Sequence, residues 1–379
     1  MEFKTSDALT FGLELEFQIV NQTTGMLSPS SLKIWDALSD REDIERFSLE
    51  ATLSTLEINS SIHTSADAML AEVQTLSTHI RQISRATGLD IRGGGTQMTQ
   101  FWNERIMAPT ARAKELETKF GFLPKRFSTY GMHVHVGMPS GDDAIKVGNV
   151  LQSMCPLFIA MSAASPFLQL ADTGFAAARP LETLMYPHGG PMPDVRDWSH
   201  FEEITDEIFS TDLANTLKDV YWDVRPKPEF GTVEIRVFDT PLSIKKAVAM
   251  AAFARACASL ALSDRLRLPT KPPPPTAQRV SRFLACRDGM EAALFNPFVN
   301  EWMPARDWLQ QLMNACTHQP TYATDSAQFD LLRSILLGKQ DHQIMRETWA
   351  EIQAENSTPE NLTNSLAQYS SKLCSLLME

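Results

Sequence analysis

The residues that could do chemistry come in pairs two apart. In FGLELEF, Glu14 and Glu16 share one face of an extended segment while Leu13, Leu15 and Phe17 take the other. In STLEINS, Glu57 and Asn59 repeat the arrangement against Leu56 and Ile58, and Glu50 joins them from seven residues earlier. In MHVHVGM, His133 and His135 oppose Met132, Val134 and Val136. In GTVEIRVFD, Glu234 and Arg236 oppose Val233, Ile235 and Val237. Two carboxylates on one face repel unless a cation or a proton sits between them. A solvated strand face explains any one such pair, but four of the same chemical kind strain that explanation. A His-x-His pair often binds zinc, yet among carboxylates it also serves magnesium sites and phosphate contacts. If the four strands neighbour one another, their shared face suits several Mg²⁺ ions and a transferring phosphoryl group. Oxygen ligands take the hard cations and arginine takes the phosphate.

The elements that would position these groups can be read from periodicity. Alternation predicts strands over 11–20 and 52–62. A Thr64-x-x-Asp67 capping box then opens a helix with Met69, Val73, Leu76, Ile80 and Ile83 on one stripe, ended by Gly88. The histidine strand runs into Ser140 and Asp143, a second capping box, for a helix through about Met154. The uncharged stretch from Val147 to Ala171 is long enough to cross a bilayer, but Pro156, Pro166, Asn149 and Gln152 favour a buried helix and an irregular turn. A fourth strand over 231–240 leads into an alanine-rich helix from Lys245 to Leu262. Pro269 and the run Pro272 to Pro275 predict a stiff extended connector. Helical patterns follow: Phe329, Leu332 and Leu336 are closed by Gly338, and Ser357-Thr358-Pro359 caps a last helix with Leu362, Leu366, Tyr369, Leu373 and Leu377. The expected organisation is a catalytic core over 1–268 and a helical region over 276–379, packed onto it within the same domain and without catalytic residues. No P-loop and no Rossmann fingerprint occurs, and Gly93 to Gly95 is expected to be a close-packed turn.

With 34 Lys and Arg against 46 Asp and Glu in 379 residues, the formal net charge is −12, which disfavours a nucleic-acid partner. Cys155, Cys257, Cys286, Cys316 and Cys374 are odd in number and far apart, as expected of reduced thiols in a cytoplasmic protein. The N-terminus passes directly into the acidic strand, so neither a targeting peptide nor a membrane partner is expected.

GLELEF, TLEINSSI, GMHVHVGMPSGDDAI, SAASPFLQLADTGFAAARP, GGPMPDVRDW and WDVRPKPEFGTVEIRVFDTP, over the first 241 residues, resemble the carboxylate-amine ligase family, also called glutamate-cysteine ligase type 2. RFLACRDGMEA is a weaker echo. The resemblance implies an α+β, glutamine-synthetase-like catalytic fold in which an antiparallel sheet forms the floor of a cleft, helices pack on its outer face, and metal-bound ATP lies across it. It implies that Glu14, Glu16, Glu57, His133 and Glu234 are metal ligands, with Glu50 a further candidate. Arg236 then contacts the transferred phosphate. Arg179 and Arg225 are anchors for substrate carboxylate or phosphate, or else structural ion pairs, and His135 faces the nucleotide or the groups that surround the metal ligands. The implied reaction is ATP- and Mg²⁺-dependent: a carboxylate, glutamate in the leading reading, is phosphorylated, and an amine displaces the phosphate. The partners are small amino acids, and assembly into a homo-oligomer is left open. One departure is Gln97-Met98 after Gly95-Thr96, where the family usually has His-Pro. If that histidine binds substrate, the acceptor differs from the usual one. Two alternatives stand beside this reading, a zinc hydrolase using His133 and His135 and a non-catalytic nucleotide-binding protein on the same fold.

Overall fold

The structure is a computed structural model, and it describes residues 1–126, 129–269, 274–355 and 361–379. Among these, seven strands form one antiparallel sheet: β1 (Phe11–Asn21), β2 (Phe47–Leu49), β3 (Thr55–Asn59), β4 (Leu89–Arg92), β5 (Gly131–Gly137), β6 (Val224–Lys227) and β7 (Thr232–Asp239). The spatial order is β6-β7-β5-β1-β3-β2, and β4 pairs with the far end of β1. The four strands that carry the polar pairs are therefore consecutive in the sheet.

Strand alternation gives the sheet one apolar face. Leu13, Leu15, Phe17, Leu56, Ile58, Met132, Val134, Val136, Val233 and Ile235 are each at most 2 % exposed and belong to one core. The helices Ala66–Ala86, Gly141–Ser162 and Ile244–Leu262 supply the other side of that core. Trp308, Leu309, Phe329, Leu332 and Leu336, all from beyond the proline-rich segment, enter the same cluster, so side chains from 276–379 pack directly on the sheet's helical layer. The last helix, Leu362–Leu376, closes a smaller cluster with Met98, Phe167 and Met345.

Three expectations are corrected. Thr64 does not cap the first long helix: Ser65 is the N-cap without a side-chain bond, and the Ala66 N–H is instead taken by Asp325 at 3.0 Å. The helix expected to end near Met154 continues through Pro156 to Ser162. Proline there lacks only one donor, and every residue from Ser153 to Ser162 is buried, so packing outweighs the local cost. It is long and apolar enough to span a membrane, but its apolar window is 83% buried inside the protein. Finally, alternation fails in β7, where the register shifts between Ile235 and Phe238. This bulge turns Phe238 inward against Phe158, with ring centroids 5.0 Å apart. Pro274 is extended and Pro275 opens the helix Pro275–Asp288, whereas Pro272, Pro273 and the cap Ser357-Thr358-Pro359 lie outside the described residues.

Candidate functional site

Register brings the polar pairs together. Glu14 stands opposite His133 on β5 and Asn59 on β3, Glu16 opposite Glu57, and Glu234 opposite His135. Glu14 is the hub: its carboxylate accepts from His133 Nδ1 at 2.9 Å and meets His135 Nε2 at 3.1 Å. Glu50 follows β2, which pairs with β3 beside Glu57. Three triads each have ligand atoms within 4.8 Å of one another: Glu14, Glu57 and His133; Glu14, His135 and Glu234; and Glu16, Glu50 and Glu57. All six residues expected as metal ligands thus lie in one patch, with His135 among them.

The charges divide this patch into two halves. Burial pushes the Glu50 carboxyl up to about 8, helped by the neighbouring Glu16. Burial also raises Glu57 well above the ordinary carboxylate range, with Glu50, Glu14 and Glu16 adding repulsion. In the other half, burial opposes ionisation of Glu234, but Arg225 and Arg236 outweigh it and hold the carboxyl well below its usual range. Glu14 is half-buried, and against the cost of that burial it is likewise held low by its two imidazoles. His133 is lowered by burial and then by Arg236, whereas for His135 the Glu14 carboxylate overcomes burial and raises it.

Three oxygen-rich triads, in one of which the Glu50 and Glu57 carboxyls resist ionisation, fit divalent magnesium. The donors are mostly carboxylate, the ordinary partners of a hard cation, and an added 2+ charge would relieve the Glu16–Glu50–Glu57 repulsion.

The three arginines have different surroundings. Arg236 pairs with Glu234 through Nη1, and its backbone N–H reaches the Asp223 carbonyl at 2.7 Å. Arg179 gives Nη1 and Nη2 to the Arg236 carbonyl at 3.3 and 3.2 Å, leaving a buried Nε–H with no partner among the described residues. It packs so tightly on Gly131 that a Cβ there would sit 2.0 Å from Nη2. Arg179 and Arg236, with Thr183, Tyr221 and Asp223, line a small recess. Arg225, expected as a possible substrate anchor, is instead committed to the protein. Its Nε and Nη2 hold Glu234 Oε2 at 3.0 and 2.7 Å, and its Nη1 binds the carbonyls of Leu217 and Val220. It is the structural ion pair that orients Glu234.

Several supporting residues escaped sequence reasoning. Gln18 continues the Glu14–Glu16 face: its Nε2 reaches the carbonyls of Gly93, Gly94 and Thr96, while its Oε1 accepts from Arg92 at 3.0 Å. The period-two rule could have flagged it. Gly93 to Gly95 forms the expected close-packed turn, and a Cβ on Gly93 would lie 2.0 Å from the Pro241 carbonyl oxygen. Arg282, from the helical region, pairs with Asp223 and donates to the Pro180 carbonyl at 3.0 Å, bracing the floor of the recess. No local signal marks it. Gln97 closes its own turn, accepting from the N–H groups of Thr99 and Gln100 at 2.6 and 2.9 Å. Met98 is buried in the smaller core.

Comparison with known proteins places these features in context. The model of glutamate-cysteine ligase family 2 matches residues 10–364. A protein of Janthinobacterium sp. (strain Marseille) is 40% identical over 300 residues, covering 78% of this chain and 80% of its own length. One from Herminiimonas arsenicoxydans is 35% identical over 350 residues, covering 92% and 94%. Both are provisionally named glutamate–cysteine ligase 2. Among solved structures, a glutamate–cysteine ligase from Francisella tularensis in complex with AMP superposes with a TM-score of 0.65 at 12% identity, over 99% of this chain and 90% of that one. A bifunctional glutathione synthetase from Pasteurella multocida gives 0.61 at 13% identity, over 96% and 52%. These two likenesses establish the fold.

Proposed function

The chain belongs to glutamate-cysteine ligase family 2, and from that premise we propose that its cleft joins glutamate, through an acyl phosphate on the side-chain carboxylate, to an amino-acid amine. The chain is an ATP-dependent carbon–nitrogen ligase. The proposal adds the substrates, the metal and the roles of individual residues. The observation that carries it is the convergence of Glu14, Glu16, Glu50, Glu57, His133 and Glu234 on one sheet face beside Arg236.

In this reading those six residues hold Mg²⁺, which when bound would draw charge from the γ-phosphate. The Arg236 guanidinium grips the equatorial oxygens of the phosphoryl group in flight, and Arg225 keeps Glu234 in place. Arg179, lining the same recess as Arg236, anchors the substrate carboxylate or phosphate, while His135 faces the nucleotide. The amine nitrogen then attacks the acyl carbon as the carbon–oxygen bond to phosphate breaks, releasing an amide and inorganic phosphate. Catalysis is positioning and electrostatics. It calls for no thiol nucleophile, and all five cysteines are buried.

The relatives' name points to cysteine as the acceptor. Gln97 in place of the family histidine makes other amines equal candidates. Free thiols and an ATP-driven reaction on amino acids suit the cytoplasm. Family membership disfavours the zinc-hydrolase alternative, as does a ligand set dominated by carboxylates. The test is to screen pairs of amino acids for phosphate release. Turnover should require ATP, Mg²⁺, a carboxylate and an amine together. Zinc-dependent hydrolysis without ATP would overturn the reading.

A further inference from the structure

The hairpin that joins β6 to β7 continues the polar face beyond His135. Lys227, the last residue of β6, stands opposite Thr232 on β7, and the Thr232 hydroxyl lies 3.0 Å from His135 Nδ1. The turn between them carries Phe230, which is 53 % exposed and sets its ring against the His135 imidazole, with 5.9 Å between centroids and 66° between planes. The Lys227 ammonium sits over the same ring, 5.2 Å from its centre, and pairs with Glu229 at 2.7 Å. A cation over the ring and an imidazole beside it fix the direction in which Phe230 points.

The backbone of this turn is held as firmly. The Phe230 and Gly231 N–H groups reach the Lys227 carbonyl at 3.1 and 2.9 Å, the Lys4 N–H reaches the Pro228 carbonyl at 2.9 Å, and the Ser6 hydroxyl donates to the Phe230 carbonyl at 2.7 Å. Gly231 has φ +67°, and a Cβ on it would run into the Lys4 carbonyl oxygen. A lone exposed phenylalanine is ordinary on a protein surface. This one is braced by the N-terminal segment and kept out of the core at the edge of the polar patch, so a ligand that stacks on it orders little that is not already ordered.

Position selects the ligand. Along β7 the polar-face residues run Arg236, Glu234 and Thr232, with Phe230 next. The four residues of strand from Arg236 to Thr232 cover about 13 Å, a length that a triphosphate chain and a ribose bridge. With the γ-phosphate at Arg236, the base of ATP reaches the Phe230 ring. The charge of Lys227 is felt as far as Glu234, which it helps to keep ionised, so the hairpin and the metal-ligand patch form one continuous surface.

We propose that Phe230 is the platform on which the purine of ATP stacks, a role that rests on the placing of the transferred phosphate at Arg236 in the ligase reading above.

The test measures calorimetric binding of ATP and of ribose 5-triphosphate, which is ATP without its base, each with Mg²⁺, to wild type, Phe230→Ala, Phe230→Leu and Phe230→Trp, with melting temperatures alongside. Wild type should bind ATP more tightly than ribose 5-triphosphate. Phe230→Ala should weaken ATP about tenfold or more, as when an aromatic ring is removed from beneath a base, and leave ribose 5-triphosphate unchanged. Phe230→Trp should keep the ATP affinity, and Phe230→Leu, which has bulk but no ring, should lose it. Equal losses of both ligands in Phe230→Ala would make the ring a brace for the hairpin and overturn the proposal. Unchanged ATP affinity in that variant, or a wild type that binds the two ligands equally, would overturn it too. A wild type that shows the expected binding but releases no phosphate with any pair of amino acids overturns the ligase reading and leaves the platform standing. A wild type that binds neither ligand overturns both.

Discussion

At the scale of single residues, the patch sets two carboxylates satisfied by imidazole and arginine, Glu14 and Glu234, beside two, Glu50 and Glu57, whose ionisation burial and neighbouring carboxylates oppose. Glu57→Gln removes one charge from the Glu16–Glu50–Glu57 group and should abolish most Mg²⁺-dependent turnover while leaving the fold intact. The pH dependence carries the same information. In the metal-free protein Glu50 is pushed up to about 8 by burial and by Glu16, from an ordinary value of 4.5. A group raised on folding contributes stability that is complete below its unfolded value and is lost as pH rises through its folded one. The metal-free melting temperature should therefore fall between about pH 5 and pH 8, less steeply in Glu57→Gln, and Mg²⁺ should restore more at pH 8 than at pH 6. A flat profile in metal-free wild type would contradict the cluster's charge state. Arg236→Lys keeps a charge beside Glu234 but loses the fork. It should bind Mg-ATP normally and slow single-turnover acyl-phosphate formation by about 2 to 4 kcal/mol of barrier. Unchanged single-turnover rates would make Arg236 an ordinary arginine. Glu14, Glu16, Glu57, His133, His135, Glu234 and Arg236 were legible because strand period alone sets their face. The partners of Arg225 were not, since its Nη1 bonds run to backbone carbonyls fixed by tertiary packing.

At the scale of elements, β6 and β7 act as one unit. Arg225 on β6 faces Glu234 on β7 and also ties the Leu217 and Val220 carbonyls, so the strand pair and the turn before it share one buried charge. Arg225→Met leaves Glu234 with less compensation. Breaking a buried ion pair by removing one partner costs about 3 to 5 kcal/mol. The expected result is a large fall in stability together with weaker Mg²⁺ binding, read by denaturant unfolding with and without Mg²⁺. A raised KM with unchanged stability would instead restore Arg225 as a substrate anchor. The bulge after Ile235 shows where sequence patterning stops. Alternation places Phe238 on the polar face with Glu234 and Arg236, but one extra residue in the strand turns it into the core. Pro156 teaches a similar lesson: the local rule ended that helix near Met154, and burial on all sides carried it on for about two more turns, to Ser162.

At the scale of the whole molecule, the order β6-β7-β5-β1-β3-β2 explains how seven acidic and imidazole groups separated by up to 220 residues come to share one patch. The helices of 276–379 complete the core behind the sheet and lend Arg282 to the recess, so the polar face of the sheet rests on both ends of the chain. All of this architecture serves one claim, that a substrate carboxylate takes the γ-phosphate of ATP before an amine displaces it. The direct measurement uses glutamate labelled with ¹⁸O in its side-chain carboxylate, incubated with ATP, Mg²⁺ and the best amine from the screen, followed by mass analysis of the released phosphate. An acyl phosphate requires one ¹⁸O atom in each phosphate, because the oxygen that bridges carbon and phosphorus leaves with the phosphate when the amine attacks. Phosphate released without the label would contradict the account, since the carboxylate would then never have been phosphorylated.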